Sequence, residues 1–399
     1  MQQPSAIIER LSASSPAPDK NLAPSPAPEK YHEVKTPDML EGGALRPGGV
    51  PDMYSRKNIG MLAQYGGIGL VYGSLYGVLY PLLNNYLRMT GTESASASAL
   101  LLLPWTWKIL QTMTYVSQGI FQEKAERQSL RKYLDVLYDL IQQRVVYQIL
   151  AFRFFRNLFS YFSVTAAYPI QSLWAHVTPV NEKTSSVIGL IVSSATMYAT
   201  KKYGLAWSWH TMIIITQILV IIIDSIPTFF TIWDVYRAQW FWLGGPLLEN
   251  LPSSVGLIIS TFAVMEIIEV GNEASVYGLI TTVSTLASPF STVLSKNVCA
   301  NFDIDYASLQ LDDHHVRMEV TWAYIIAYVF KLFSLVFVVL LPRQKAETQE
   351  LKRSGGKSKL MGNITIFYLV FTFCWTLMTN LMSFSSSTSC LKIAGGSGC

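Results

Sequence analysis

Residues 208–232 read SWHTMIIITQILVIIIDSIPTFFTI, an apolar run whose one acidic residue is Asp224. A helix needs roughly 20 apolar residues to cross a hydrocarbon core of about 30 Å, so this run is long enough to span a membrane. Pro227 follows one turn later and predicts a kink in the helix. An ionisable group at that depth costs about 3 kcal/mol on insertion scales. Asp224 is therefore a candidate functional residue.

Apolar runs of this kind recur along the chain and set its class. Charged residues make up only 14% of the 399 residues and hydrophobic residues 50%, with a net charge of +4. A soluble domain has about 25% charged residues, so a soluble enzyme is excluded as an interpretation. The sequence predicts an all-α polytopic membrane protein with about nine transmembrane helices. The predicted spans are 61–83, 98–120, 145–168, 184–202, 208–232, 253–270, 274–296, 320–341 and 363–384.

The remaining segments connect these spans. Residues 1–55 are polar and rich in Pro, Ala and Ser, which predicts a disordered cytosolic tail. Residues 121–144 carry an apolar stripe at helical spacing, which predicts an amphipathic cytosolic linker. Residues 343–362 form a basic cytosolic loop, 363–384 an extra transmembrane helix, and 385–399 a tail.

The distribution of Lys and Arg predicts the orientation. The basic residues concentrate in 121–144, at Lys201 and Lys202, and in 342–360, whereas the loops between them are poorer in Lys and Arg. Cytosolic loops carry an excess of Lys and Arg. Nine alternating spans with a cytosolic N-terminus place all three basic ends on the cytosolic side. The C-terminus is then predicted on the opposite side of the membrane.

Four stretches carry a resemblance to a known family. Pro104-Trp105-x-x-Lys108 closes the stretch 58–110, YPIQSLWAHVTP begins at Tyr168, an IVIIID-like run ends at Asp224, and EIIEVGNEASVYGLITTVSTLASPFS begins at Glu266. In this order they resemble the folate–biopterin transporter family of the major facilitator superfamily. The resemblance implies a major-facilitator-like helical bundle, with 145–342 as its C-terminal six-helix lobe.

The N-terminal lobe departs from the family pattern. Residues 56–120 resemble its first two helices, but QTMTYVSQGIFQEKAERQSLRKY follows Leu110 directly and looks like the end of the sixth helix and the central linker. About helices 3–6 of the pattern are therefore missing. The resemblance implies a secondary transporter of folate- or pteridine-like anions that is proton-coupled. The alternative is a transport-inactive truncated paralogue, or an incomplete gene model, that at most associates with a full-length homologue.

Candidate substrate-binding residues are the basic ones at membrane depth. Arg153 and Arg156 lie on one face of the third predicted span, and a guanidinium fork suits the carboxylates of folate. The alternative is that both arginines extend to the cytosolic headgroups or hold the adjacent linker. Lys108 lies deep in the second predicted span and would face the cavity of an intact family member.

Candidate coupling and gating residues are acidic. Asp224 could carry the coupling proton, or it could cap carbonyl groups that Pro227 leaves free. Glu266, Glu269 and Glu273 could form a gate with Lys201 or Lys202, or be a solvated helix end with ordinary ion pairs. The predicted partners are the lipid bilayer and a folate or pterin substrate. The sequence carries no nucleic-acid-binding, metal-binding, cofactor-binding or catalytic motif that we recognise.

Overall fold

The fold is helical throughout the residues that the computed structural model describes, which are 59–60, 63–64, 67, 69, 81–87, 96–101, 130–204, 207–267, 273–385 and 387–394. No β-strand occurs among them; Gln143 and Lys357 form an isolated bridge. The described residues from Gln64 onward lie in one compact unit. Ile59, Gly60 and Ala63 are helical and belong to a second unit.

Eleven α-helices lie between residues 130 and 382 within this described part. They are α1 (Leu130–Gln142), α2 (Arg144–Ser160), α3 (Ala167–Leu173), α4 (Pro179–Tyr203), α5 (Trp209–Ile232), α6 (Gln239–Met265), α7 (Glu273–Cys299), α8 (Tyr306–Leu311), α9 (His314–Phe333), α10 (Lys345–Ser354) and α11 (Lys359–Met382). A 3₁₀ helix, Ser334–Leu340, continues α9, and Pro81–Tyr86 is a π-helix.

The helix boundaries follow from local side chains. Thr178 caps α4 by accepting a hydrogen bond from the Asn181 N–H, and Pro179 takes the first turn, where no backbone donor is needed. Asp313 caps α9 in the same way. Pro227 lies inside α5, which runs from Trp209 to Ile232 without a break. Neighbouring helices in a membrane bundle make such interior prolines tolerable.

Four described helices are long and apolar enough to cross a membrane: Trp209–Ile232, Gln239–Met265, His314–Leu340 and Lys359–Met382. Their outward faces carry large exposed apolar side chains, such as Phe367 and Val339. α2 has only 17 residues, or about 25 Å at the α-helical rise. α4 and α7 are longer but rich in Ser and Thr. The protein is therefore an all-α chain with membrane-spanning character, and the nine-span arrangement stays a prediction.

Several predicted boundaries are wrong. The predicted span 253–270 and the predicted loop 233–252 are largely one helix, because α6 begins at Gln239 and ends at Met265. Pro246, Pro252 and Glu249 lower the apolar content of its first half, yet they do not break it. The predicted span 145–168 ends at Ser160, and the helix resumes only at Ala167. The spans 61–83 and 98–120 lie almost entirely outside the described residues.

The helices pack in a continuous series. α4 contacts α6, α6 contacts α5, α5 contacts α9, and α9 contacts α2, which in turn contacts α7. α11 packs on α1, α2 and α7. The approach of α5 to α6 is close, because a Cβ atom on Gly245 would lie 2.9 Å from Pro227 Cγ. Small residues permit such close approach where membrane helices pack.

One end of the helices gathers the predicted cytosolic segments. The Lys357 ammonium lies 2.6 and 2.7 Å from the two carboxylate oxygens of Asp139, which joins 343–362 to the linker helix α1. The Arg144 N–H donates to the Gly356 carbonyl. The Gln344 side chain donates to the Trp207 carbonyl, close in sequence to Lys201 and Lys202. The three basic regions therefore meet at one end of the described bundle.

Candidate functional site

The strongest candidate site is an ion pair between two apolar helices. Lys331 on α9 donates from Nζ to Asp224 Oδ2 on α5 at 3.0 Å. Both side chains are largely buried, with 16% and 22% of their surface exposed. The Lys331 ammonium also lies 5.4 Å from the centre of the Tyr328 ring. Asp224 thus bonds to a lysine of another helix rather than to carbonyl groups that Pro227 leaves free.

A second carboxyl group completes this site. Glu249 on α6 lies near Asp224 and Lys331. The antiparallel packing of α5 and α6, which brings Pro227 onto Gly245, also brings Asp224 opposite Glu249. Two neighbouring carboxyl groups repel each other when both are ionised. Two carboxyl groups and one ammonium are neutral overall when one of the carboxyl groups carries a proton.

The sequence analysis missed two of the three members of this cluster. Glu249 was assigned to a loop because its helix begins fourteen residues before the predicted span, at Gln239 rather than 253. Lys331 is the sole residue of the predicted span 320–341 that is charged at neutral pH. A lone lysine within an apolar run needs a partner, and that signal alone could have paired it with Asp224.

Arg153 and Arg156 on α2 differ in their contacts. Arg153 Nη1 donates to Ser284 Oγ of α7 at 3.2 Å, and Nη2 donates to the Ser260 carbonyl of α6 at 2.9 Å. Arg153 therefore joins three helices within the bundle, and its bonds do not reach the linker helix. Arg156 makes no hydrogen bond or ion pair to any described residue, and its Nε is buried.

The predicted acidic gate has a different partner. Glu266 lies 3.4 Å from the Lys345 ammonium and accepts a hydrogen bond from Gln349 at 3.3 Å. The predicted pairing of this glutamate with Lys201 or Lys202 is therefore wrong. The reason is that α10, a helix inside the predicted loop 343–362, brings Lys345 to this glutamate.

Other predicted residues lie outside the description. Lys108 and Glu269 are not among the described residues, and of Glu273 only its position as the first residue of α7 is described. Their predicted roles in substrate binding and gating stay predictions. Among the described residues, no group of three His, Cys, Asp or Glu side chains could hold a metal ion.

A buried lysine on α7 was missed entirely. Lys296 is 2% exposed and donates to Ser96 Oγ at 2.7 Å, to Asn380 Oδ1 at 3.2 Å and to Ser383 Oγ at 3.1 Å. An ammonium has three protons, so these three oxygens satisfy it fully. Lys296 is the last residue of the predicted span 274–296. At that position the sequence alone predicts a contact with lipid headgroups.

The opposite end of the bundle carries an ion-pair network. Arg237 donates to both carboxylate oxygens of Asp312, at 2.5 and 2.9 Å, and Arg317 does the same at 2.9 and 3.1 Å. Arg237 also lies 4.9 Å from the centre of the Trp174 ring. Partial burial raises the pKa of Asp312, but the hydrogen bonds from both arginines outweigh it and hold the pKa below its usual range. The network joins the segments that follow α3, α5 and α8.

The chain matches no protein-family model, no curated protein sequence and no solved structure. Within the described residues, the geometry defines a helical protein with four candidate membrane-spanning helices and an ionisable cluster between three of them. The resemblance to folate–biopterin transporters rests on the sequence stretches alone and stays a prediction.

Proposed function

We propose that this chain is a transporter-type integral membrane protein, not an enzyme, and that it moves a folate- or pteridine-like anion together with a proton. The observation that carries the proposal is the cluster of Asp224, Glu249 and Lys331. Ionisable groups inside membrane helices are costly and commonly belong to ion or proton pathways. The resemblance of the sequence stretches supplies the substrate class.

The cluster suits proton coupling for a physical reason. Its members come from α5, α6 and α9, all three of which are candidate membrane spans. With one proton the three groups are neutral overall, and without it they carry one negative charge. In a medium of low dielectric constant these two states differ strongly in free energy. A rearrangement that changes the spacing of the three helices would therefore take up or release a proton.

The proposed orientation has the N-terminus in the cytosol and the C-terminus on the opposite side. It rests on the excess of Lys and Arg in the segments around α1, α10 and the end of α4. The contacts of Asp139 with Lys357 and of Gln344 with Trp207 support it, because these segments share one end of the bundle. The lipid bilayer is then the first partner of the chain, and nucleic acid is not expected to bind.

The second candidate is a shortened relative that does not transport alone. About four helices of the family pattern are missing after Leu110, and alternating access requires two lobes that close around one site. Such a chain would act only together with a full-length homologue.

Uptake of labelled folate into proteoliposomes distinguishes the two candidates. Coupled transport predicts saturable uptake by the chain alone that an inward proton gradient drives. Asp224→Asn and Glu249→Gln should abolish that stimulation, whereas Asp303→Asn, a change of an exposed loop carboxylate, should not. Uptake that appears only after helices 3–6 are restored from a relative would favour the second candidate. Uptake that does not respond to the proton gradient, either in the chain alone or in the chain with helices 3–6 restored, would refute the coupling role of the cluster.

A further inference from the structure

Arg156 is a buried guanidinium that lacks an acceptor within the described chain. Its Nε is buried without a hydrogen bond, and neither an ion pair nor a hydrogen bond joins the rest of the group to a described residue. Arg153, on the same face of α2, has both terminal nitrogens bonded. Burying a charge without a partner costs several kcal/mol. Arg156 is therefore a candidate binding group for an anion.

Neutral polar side chains of α2 and α5 lie near Arg156. Its Nη2 lies 3.7 Å from the place that a Cβ atom on Gly256 of α6 would take, and Thr216 Oγ1 of α5 lies 3.2 Å from the same place. Ser160, one turn after Arg156 on α2, donates to Gln217 Oε1 of α5 at 3.1 Å. The guanidinium thus lies where α2, α5 and α6 meet, next to a glycine at which the helices approach closely.

The nearest carboxyl groups of the described site are engaged elsewhere. Asp224 lies about 12 Å beyond Thr216 along α5, and Glu249 lies about 10 Å from Gly256 along α6, at the α-helical rise. Both belong to the cluster with Lys331. No described carboxylate forms an ion pair with Arg153 or Arg156. Two positive charges within one turn of α2 are therefore left uncompensated.

We infer that Arg156 binds a carboxylate of the transported anion and that Arg153 is a positioning residue that fixes α2 against α6 and α7. This inference rests on the proposed function and refines it, because it assigns one arginine of the pair to the substrate and the other to the scaffold. The terminal nitrogens of a guanidinium match the two oxygens of a carboxylate, which makes a bidentate pair. The two clusters then lie about two helical turns apart along α5 and α6, one for the anion and one for the proton.

Binding to the full chain in nanodiscs tests this assignment. The probes are folate, which carries carboxylates, biopterin, which carries none, and inorganic phosphate as a competitor. Arg156→Gln should lower the affinity for folate about ten- to a hundredfold, the range that follows from losing a charged hydrogen-bonded pair. It should leave the affinity for biopterin within about twofold, where no carboxylate contact is lost. Arg156→Lys keeps the charge without the fork and should bind folate with intermediate affinity.

Arg153→Gln is the matched control, because it removes the same charge from the same face of α2. It should lower the thermal midpoint, since it removes the bonds to Ser284 and Ser260, whereas Arg156→Gln should not. The assignment fails if Arg156→Gln leaves folate affinity unchanged, weakens biopterin equally, or if the wild-type chain does not bind folate. Competition by millimolar phosphate equal to that by folate would also refute a carboxylate site.

Two further outcomes separate this inference from the transport proposal. Folate binding that depends on Arg156, in a chain that shows no uptake, would support the site and refute transport by the chain alone. Proton-driven uptake whose KM for folate is the same in wild type and Arg156→Gln would support transport and refute the site.

Discussion

The Lys331 ammonium lies 3.0 Å from Asp224 Oδ2, and the pair joins α9 to α5 within the most apolar part of the described chain. Glu249 of α6 places a second carboxyl group near this pair. Three candidate membrane-spanning helices thus share one polar cluster. The cost of separating its members is high, because each would be left as an unpaired charge in a medium of low dielectric constant.

Removing Lys331 should therefore destabilise the protein more than removing the whole pair. Lys331→Met leaves two carboxyl groups without a cation and should cost about 3 kcal/mol, within the range for a broken buried ion pair. Adding Asp224→Asn should restore part of that loss. Thermal midpoints of the two variants in the same detergent measure the difference. Lys357→Met is the control, since that lysine pairs with Asp139 at the surface and should change stability by less than about 1 kcal/mol. An unchanged midpoint in Lys331→Met would contradict the role of the pair.

The close approach of α5 to α6 makes a sharper test, because two adjacent glycines differ in their surroundings. A Cβ atom on Gly245 would lie 2.9 Å from Pro227 Cγ, whereas one on Gly244 would meet nothing within 4 Å. Gly245→Ala should cost about 1–3 kcal/mol by overpacking, and Gly244→Ala should be neutral or slightly stabilising, because alanine is the better helix former. Chemical denaturation of both variants measures this. Equal effects would mean that the contact with Pro227 does not limit the approach.

Sequence patterns predicted the existence of helices better than their ends. The run 208–232 became α5 almost residue for residue, because its apolar residues are uninterrupted except at Asp224 and Pro227. α6 was placed too late, since its prolines and Glu249 resemble a loop when only composition is considered. What makes Glu249 acceptable inside the helix is its tertiary neighbourhood, because it lies near Asp224 and Lys331. Such compensation lies in tertiary packing and has no local sequence signal.

The candidate site was predictable in part for the same reason. A single charged residue in an apolar run can be recognised from the sequence. Asp224 was predicted in this way, and Lys331 could have been predicted in the same way. Their pairing depends on which helices are adjacent, and this follows from the packing of α5 on α9. The difference between Arg153 and Arg156 likewise depends on which groups of the neighbouring helices face each arginine. Ser284 and the Ser260 carbonyl lie within reach of Arg153 only.

Lys296 should hold α11 against α7. Lys296→Met keeps most of the side-chain volume but removes the bonds to Asn380 and Ser383, each worth about 1 kcal/mol. We expect faster hydrogen exchange of the backbone amides in 376–383, while exchange in α5 stays unchanged. Lys345→Met, at the end of the bundle where α10 begins, is the control. Unchanged exchange in 376–383 would mean that apolar packing alone holds the helix.

The proposed orientation can be tested with single cysteines. Asp139→Cys and Lys357→Cys replace residues whose side chains touch, so both should be labelled from the same side of the membrane. Asp303→Cys, in the loop before α8, should be labelled from the other side. The background protein would have all four native cysteines, Cys299, Cys374, Cys390 and Cys399, replaced by serine. Labelling of positions 139 and 357 from opposite sides would refute both the topology and the contact.

Asp312 gives a prediction about pH. Its two arginine partners, Arg237 and Arg317, hold its pKa below the usual value for an aspartate, which is about 3.9. A group whose pKa is lower in the folded state stabilises the fold above its unfolded-state pKa, and this contribution is lost as the pH falls through the folded-state pKa. Asp312→Asn should therefore cost about 2 kcal/mol at pH 7, the range for hydrogen bonds to charged groups.

The difference between wild type and Asp312→Asn should shrink once the pH falls below about 4, because the wild-type carboxylate is then progressively protonated. Thermal midpoints of both proteins from pH 7 down to pH 3 measure it. Asp303→Asn removes an exposed carboxylate in the same region, near His315, and should show no such convergence. If the gap between wild type and Asp312→Asn instead widened as the pH fell, the arginine contacts would not be what stabilises this end of the bundle. A gap that stays constant from pH 7 to pH 3 would show that Asp312 acts through packing rather than through its charge.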